Sequence, residues 1–370
     1  MNIVSSRSQW VDISKGFAII AVVLLHINFV FHGSKLLPVV NLLGGAWHVP
    51  VFFLIGGFFI KEEKLIRPAG FIKGKVKSLY RLLLYFYIPA VLLHNVMFEI
   101  GWYDTVTDYG GKLMTEWTVG QTVKELVLSI CLAGREPILG AMWFVYVLFM
   151  ALCSFSLVSW AIRKVVKDDK RYEWWRLVTL LLLCMISCTA SRVFDFTIPR
   201  FNNTLTAMWL IYCGYMIKNR LQWSFSNSYI MCLSVLVLYH SVTLLGGVSL
   251  NGNYYRDVLL LTITSVSALY IICYVSRRIE HGKAGTFLAW CGRDSFYIMG
   301  LHFVGFKMAT YALRLFGVDC PLSALTAPAG DSIGLLVVYA VFGVLFPLVF
   351  MTVFRWCRQG FGRLFLSKNQ

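Results

Sequence analysis

The sequence predicts an all-α membrane protein, a polytopic bundle of about ten transmembrane helices. Fifty-eight per cent of the 370 residues are hydrophobic, only 14 per cent are charged, and the mean hydropathy is +0.69. A soluble protein of this length could not bury so much apolar surface. Apolar runs long enough to cross a bilayer recur along the chain, without a polar linker between them. We therefore expect a single integral-membrane domain over residues 1–370.

Hydropathy and helix-breaking residues position the individual elements. Residues 122–134 are apolar but contain Lys124 and Glu125, which favours a re-entrant or interfacial helix over a full crossing. Pro50 is expected to kink the second span. The predicted spans lie at about 13–32, 39–60, 80–100, 139–162, 176–192, 204–217, 227–246, 257–276, 286–312 and 332–354.

Basic residues cluster in alternate loops. If the N-terminus is cytoplasmic, 24 of the 34 lysines and arginines fall on the cytoplasmic side and eight on the opposite side. The positive-inside rule therefore places both termini in the cytoplasm. The same bias explains most of the net charge of +16, so a nucleic-acid partner is not expected. The ten cysteines form no CxxC pair or metal-like cluster, and we expect buried thiols and no metal.

The first span carries three polar residues on one face. His26 follows Lys15 by eleven residues, which at about 100° per residue brings the two within roughly 20° of each other around the helix. Asp12 precedes Lys15 by one turn on the same side. Ionisable groups at membrane depth normally face a protein interior or a wet cavity. A histidine there suits general-base chemistry, although a snorkelling lysine and a core histidine would be a purely structural explanation.

Further polar residues recur at comparable depth. His48 in the second span is either a second polar group of the same cavity or an interfacial residue. Gly56 and Gly57 follow it and favour close helix packing. In the ninth span Ser295 and His302 are seven residues apart and share a face, and the latter is the third deep histidine.

The lysines before the third span have two explanations. Most of them suit anchoring against anionic membrane lipid. A basic collar at the mouth of a cavity would instead hold the phosphates of a donor substrate. Arg81, just within the third span, is the residue that suits such a collar best.

Together these stretches resemble the integral-membrane acyltransferases of the "acyltransferase 3" type, which O-acylate sugars of bacterial envelope and exported glycans. The family motifs are a basic residue and a histidine with ten residues between them, a His-x-Pro run with paired phenylalanines, a Trp-Phe pair, and a Ser-x-Tyr-Ile run followed by a histidine. The resemblance covers the whole chain. Its positions here are Lys15 and His26, His48–Phe53, Met142–Phe144, and Ser295–His302 with Tyr297.

Three positions depart from the family pattern. Lys15 stands where an arginine is usual, which keeps the charge but loses the planar two-pronged donor. Gly56 stands where a serine is usual. The Arg-x-x-Arg pattern of the third helix is imperfect, since Arg81 fits one position and Lys77 or Lys75 must supply the other.

The resemblance implies an O-acyltransferase of the bacterial plasma (inner) membrane that acts in polysaccharide biosynthesis. An acyl-CoA, most simply acetyl-CoA, would dock from the cytoplasm, and His26 would activate the acceptor hydroxyl or carry the acyl group. The acceptor would be a sugar of a lipid-linked or exported glycan. The donor phosphates would lie near Lys15, Lys75, Lys77 and Arg81. The acceptor cavity would include His48, Trp143, Ser295, Tyr297 and His302.

Two other functions fit the same residues. A transporter or flippase could use the polar stripe as a solute or proton path, although the sequence shows no internal repeat of the kind that transporters often have. A catalytically inactive membrane sensor would retain the fold, and the substitutions at Lys15 and Gly56 are compatible with that.

Overall fold

The computed structural model describes residues 8–28, 47–107, 109, 113–198, 200–244, 248–326 and 332–366. Most of these residues are helical, and a helix lies in each of the ten predicted spans. The predicted all-α fold is confirmed.

The N-terminal part of the chain alternates long and short helices. A π-helical turn, Val76–Tyr80, joins α4 to α5, so residues 68–92 form one continuous helical rod. The helices are α1 (Gln9–Asn28), α2 (His48–Phe58), α3 (Glu62–Leu65), α4 (Pro68–Lys75), α5 (Arg81–Leu92), α6 (His94–Glu99) and α7 (Val119–Ile130).

The C-terminal part contains the longer helices and one small hairpin. A 3-10 turn, Pro137–Met142, leads into α8, and a π turn, Met216–Arg220, extends α10. The helices are α8 (Trp143–Val165), α9 (Asp169–Val193), α10 (Phe201–Tyr215), α11 (Ser228–Leu244), α12 (Val258–Arg278), α13 (Lys283–Arg293), α14 (Ser295–Leu315) and α15 (Ile333–Leu366). Strands β1 (Val248–Ser249) and β2 (Tyr254–Tyr255) pair antiparallel.

Length and composition identify candidate membrane spans. Among the described residues, five helical segments are long and apolar enough to cross a bilayer. The helices α2 and α11 are apolar but shorter. The five candidate spans are Gln9–Ile27, Pro137–Val165, Asp169–Val193, Val258–Arg278 and Ile333–Arg358. The chain is therefore a multi-pass membrane protein.

The loops predicted to be cytoplasmic meet at one end of the bundle. Trp10, at the start of α1, lies under the Lys218 ammonium and the Arg277 guanidinium, 5.5 and 5.6 Å from its ring centroid. Glu62 accepts a hydrogen bond from Arg176 Nη1 at 2.8 Å. These contacts join loops that are far apart in sequence, as the alternation of basic loops predicts.

The loops predicted to lie outside meet at the opposite end. Lys307 Nζ donates to the carbonyls of Trp102 and Leu322 at 2.9 and 2.7 Å. The Arg200 guanidinium donates to the carbonyls of Leu132 and Gly134 at 2.5 and 2.6 Å. Each cation thereby satisfies loop carbonyls that would otherwise be buried without a partner.

The helix α1 lies in the interior of the bundle and crosses α13 at backbone contact distance. A Cβ atom at Gly292 would collide with the carbonyl of Asp12, and one at Gly16 would collide with the carbonyl of Leu288. Only glycine permits so close a crossing. The face of α1 that carries Asp12 is thereby held inside the protein, where Asp12 is 3% exposed.

The predicted ninth span, 286–312, is wrong as a single helix. It is divided at Asp294, where α13 ends and α14 begins at Ser295. Asp294 accepts hydrogen bonds from Arg355 Nη2 at 2.5 Å and Nη1 at 3.2 Å. An ion pair with α15 thus holds the junction, and a single-helix prediction takes no account of such a distant partner.

Two local predictions have different outcomes. The kink at Pro50 is wrong, because α2 begins at His48 and Pro50 falls in its first turn, where a proline removes no intrahelical hydrogen bond. The predicted re-entrant or interfacial segment contains most of the helix α7, whose 12 residues extend about 18 Å, too short for the ~30 Å bilayer core. Its position relative to the membrane stays a prediction. A capping box between Thr118 and Gln121 fixes its start.

Candidate functional site

A cavity of about 140 Å³ lies beside α1, towards the end of the bundle that is predicted to lie outside, and has two histidines in its wall. His26 comes from α1 and His48 from the first turn of α2. Trp143 and Phe144 line it from the start of α8, and residues 248–251 of the hairpin close one side. The structure thus brings three of the predicted residues, His26, His48 and Trp143, to one place.

His302 lies directly behind His26. Its Nε2 atom is 3.1 Å from Nδ1 of His26, and its own Nδ1 is 2.9 Å from the carbonyl oxygen of Ile298. The side chain of His302 is completely buried. The ring centroids of the two histidines are 4.9 Å apart, and Phe303 packs against both rings. Two helices that are distant in sequence therefore form one hydrogen-bonded imidazole pair.

His48 is 6% exposed, and its Nδ1 atom has no hydrogen-bond partner among the described residues. A buried polar atom without a partner is uncommon in a native protein, because leaving it unpaired costs free energy. His48 lines the cavity while Nδ1 itself is buried, so a molecule that enters there meets the ring beside this atom.

A second cavity of about 320 Å³ lies towards the end of the bundle that is predicted to be cytoplasmic. Its polar lining consists of Lys15, Lys75, Ser78 and Ser295, of which Ser78 is exposed. The remaining wall is aromatic and aliphatic. A cavity with ammonium groups at its cytoplasmic side and an apolar interior can hold a ligand that has an anionic head and an apolar arm.

The two cavities share a boundary. Phe144 and Met299 line both, and between them the cavities extend from Lys15 to His26 along one side of α1. The two residues are about 16 Å apart along the helix axis. The polar stripe of the first span therefore faces the protein interior, and not lipid.

Asp12 stands next to the inner cavity. One of its carboxylate oxygens is 3.8 Å from Lys15 Nζ, which also lies 4.9 Å from the centroid of Phe59. These contacts hold the long lysine side chain in one direction, and it remains 19% exposed. Asp12 thus orients a cation and lines neither cavity itself.

Three predicted site residues lie elsewhere. Lys77 and Arg81 are exposed and line neither cavity, although Lys75 does. Tyr297 packs against Phe86 and lies under the Arg355 guanidinium, 5.1 Å from its ring centroid. Their predicted roles in donor or acceptor binding stay predictions.

Some cavity residues were not predicted from the sequence. Phe144 adjoins the predicted Trp143, but Met299 had no distinguishing signal in its apolar segment. The hairpin residues Val248–Ser249 follow a run of apolar residues and precede Asn251, Gly252 and Asn253, a composition typical of a tight turn. This composition would have located the hairpin in the sequence, but it gives no indication that the hairpin lies beside His26 in the folded protein.

Comparison with known proteins identifies the family of this chain. A family model described as an acyltransferase domain matches residues 8–354, essentially the whole chain. No curated protein and no solved structure matches the chain. The matched range includes both cavities and every helix that lines them. The chain therefore belongs to the acyltransferase 3 family of membrane acyltransferases.

Proposed function

We propose that this acyltransferase of the bacterial plasma membrane moves an acyl group, most simply acetyl, from cytoplasmic acyl-CoA to a sugar hydroxyl of an envelope or exported glycan. One observation carries the proposal: a cavity with two lysines and a cavity with two histidines adjoin each other along α1. A two-sided reaction in a membrane needs such a passage, because the donor is cytoplasmic and the acceptor is outside.

The inner cavity suits the donor. Coenzyme A has phosphates at one end and a long, narrow pantetheine arm at the other. Lys15 and Lys75 would hold the phosphates as point charges. The arm would follow the apolar wall, and the thioester would reach the boundary formed by Phe144 and Met299. Lys77 and Arg81 lie on the surface near the same end, where they would attract the polyanion before it binds.

His26 supplies the base at the other end of the passage. In direct transfer, its ring takes the proton of the acceptor hydroxyl while the oxygen forms a bond to the thioester carbonyl carbon. The carbon–sulfur bond then breaks, and the CoA thiolate receives the proton from His26. In the alternative route the His26 nitrogen attacks the thioester carbonyl carbon, the carbon–sulfur bond breaks and CoA leaves as the thiolate. The sugar oxygen then attacks the same carbon, the bond from carbon to the His26 nitrogen breaks, and the hydroxyl proton passes to the CoA thiolate. Both routes end with an acyl ester and free CoA.

His48 would hold the reacting group. Its ring lies in the wall of the cavity that contains His26, and Nδ1 has no partner among the described residues. A rotation of the ring would turn Nδ1 towards the cavity, where it would form a hydrogen bond to the acceptor hydroxyl or to the thioester carbonyl oxygen. Fixing the reacting atoms against the base lowers the entropic part of the barrier. Trp143, in the same wall, offers a flat surface for a sugar ring.

The test compares His26→Ala with a matched histidine variant. His240 is exposed on α11 and lines neither cavity, so His240→Ala controls for the loss of an imidazole. Glycans from cells with each variant would be compared by mass for ester-linked acyl groups, and purified protein would be assayed for thiol release from acetyl-CoA. We expect His26→Ala to lower both signals by ~10²–10⁴-fold and His240→Ala to leave them unchanged.

Full acylation by His26→Ala at a normal protein level would remove its catalytic role. If the intact protein releases no thiol from acetyl-CoA and adds no acyl group to glycan, the proposed activity is wrong and transport becomes the better explanation of the passage.

A further inference from the structure

We propose that His302 is a positioning residue that fixes the tautomer of His26, so that the lone pair of His26 lies on Nε2. The proposal rests on the proposed function only for its effect on rate. The hydrogen-bond arrangement that it describes belongs to the protein itself.

The first step concerns Nδ1 of His302. This atom lies 2.9 Å from the carbonyl oxygen of Ile298, one turn earlier in α14. A carbonyl oxygen can only accept a hydrogen bond, so the nitrogen that faces it must carry a proton. In a neutral imidazole one nitrogen is the donor and the other is the acceptor. Nε2 of His302 is therefore the acceptor.

The second step uses the acceptor nitrogen of His302 to assign the donor and acceptor nitrogens of His26. Nδ1 of His26 lies 3.1 Å from Nε2 of His302, and an acceptor needs a donor opposite it. Nδ1 of His26 therefore carries the proton, and Nε2 holds the lone pair. Chemistry at His26 needs a free lone pair in both routes, whether the ring takes a proton from the sugar or attacks the thioester.

The third step concerns the alternative arrangement. If His302 carried protons on both nitrogens, it would donate to Nδ1 of His26, whose own proton would then lie on Nε2. His26 would have no free lone pair. The carbonyl of Ile298 does not prevent this, but burial does, because the His302 side chain is completely buried among apolar rings and a charged imidazole there is costly.

The hydrogen bond between His26 and His302 also becomes stronger during the reaction. When Nε2 of His26 accepts a proton, the ring becomes positively charged, and its Nδ1–H bond to His302 becomes charge-assisted and stronger. His302 thus stabilises the positively charged His26 of the transition state more than it stabilises the neutral His26 of the resting protein. His48 is the other titratable group that interacts with His26 among the described residues, and it stands on α2, across the cavity.

Two substitutions of His302 separate the two hydrogen bonds. In His302→Asn the amide reaches the position of Nδ1, so it keeps the bond to Ile298 and loses the bond to His26. In His302→Gln the amide reaches the position of Nε2 and offers His26 a carbonyl acceptor. Acetyl transfer to glycan would be measured for both, as kcat and as KM for acetyl-CoA.

We expect His302→Asn to lower kcat by roughly 10- to 100-fold without a change in KM, since one hydrogen bond to the charged base is lost. We expect His302→Gln to retain kcat within about fivefold. Equal kcat values for Asn, Gln and the native protein would overturn the proposal, as would a Gln variant that is no better than Asn.

A spectroscopic measurement on the native protein covers the case in which a variant does not fold. Nitrogen-15 NMR of histidine-labelled protein in lipid distinguishes protonated from unprotonated ring nitrogens, and the His26→Ala difference spectrum assigns His26. We expect an unprotonated Nε2 and a protonated Nδ1 in His26. The opposite tautomer would overturn the proposal. This result does not depend on acyl transfer, so failure of the proposed function and failure of this inference are distinguishable.

Discussion

Burial changes the chemistry of one of the two lysines in the inner cavity. Lys75 lies at the end of α4, before the predicted third span, and burial lowers the pKa of its ammonium group, while the nearby Cys153 acts in the opposite direction. Lys75 therefore loses its charge at a lower pH than an ordinary lysine, whose pKa is near 10.4. A phosphate binds the charged form, so a property of this single side chain would set the pH range of donor binding.

We predict that KM for acetyl-CoA rises in the native protein as the pH approaches the ordinary lysine pKa of about 10.4 from below, and much less in Lys75→Arg. The guanidinium stays charged throughout this range, so donor binding should persist. The measurement is KM at a series of pH values. Lys73→Arg is the control, because Lys73 is exposed and does not line the cavity. A pH dependence that is the same in all three proteins would contradict the prediction.

At the scale of helices, two adjacent glycines in α2 have different surroundings. A Cβ atom at Gly57 would collide with the backbone of Ile211 in α10. A Cβ atom at Gly56 would meet only the tip of Leu148, at 3.6 Å, and Gly56 lines the inner cavity. Gly57 thus sets the distance between two helices, whereas Gly56 forms part of the wall of the inner cavity.

We predict that Gly57→Ala destabilises the protein by more than about 3 kcal/mol, because the new methyl group meets backbone that cannot move aside. Folded protein recovered in detergent, and its melting temperature, would measure the effect. Gly56→Ala is the matched control and should fold normally. A Gly57→Ala protein as stable as Gly56→Ala would show that α2 and α10 are farther apart than the structure has them.

At the scale of the whole molecule, a cluster of charged residues joins helices at the end that is predicted to be cytoplasmic. Arg176 is completely buried and donates to Glu62 at 2.8 Å and to Glu173 at 2.7 Å. Arg220 donates to the same Glu173 at 2.5 Å. The cluster joins α3, α9 and the end of α10. Burial alone would raise the pKa of Glu62, but Arg176 and the hydroxyls of two tyrosines lower it below its ordinary value.

We predict that Glu62→Gln lowers the stability at neutral pH by about 2–3 kcal/mol, somewhat less than the ~3–5 kcal/mol for a fully buried pair, because Glu62 is 25% exposed. In the native protein this stabilisation is fully present above the unfolded pKa of about 4.3. It is lost as the pH falls through the lower pKa of the folded state.

Melting temperatures between about pH 7 and about pH 3 would measure both effects, and the pH dependence should be weaker in Glu62→Gln. Glu63→Gln is the control, since Glu63 is exposed next to Glu62. Glu62→Gln protein with native stability at neutral pH and a native pH profile would contradict the role of this cluster.

Local patterns in the sequence determined the membrane class, the helical segments and the two ends of the bundle. The angular agreement of Lys15 with His26 is also local, because helix geometry fixes it over eleven residues. The family resemblance in the motifs from Lys15 to His302 is confirmed by the match over residues 8–354. Hydrophobic periodicity and charge distribution are sufficient for such features, since each depends on neighbouring residues.

The tertiary structure decided which residues meet. Arg355 in α15 pairs with Asp294 at the division of the ninth span, and His302 reaches His26 across 276 residues. Of Lys75, Lys77 and Arg81, only Lys75 lines the inner cavity. A π turn follows Lys75 and changes the angle around the helix axis between the residues before it and those after it. The spacing of a regular helix therefore did not indicate which of the three side chains faces the cavity. Contacts of this kind depend on how distant helices pack, and no local period in the sequence encodes them.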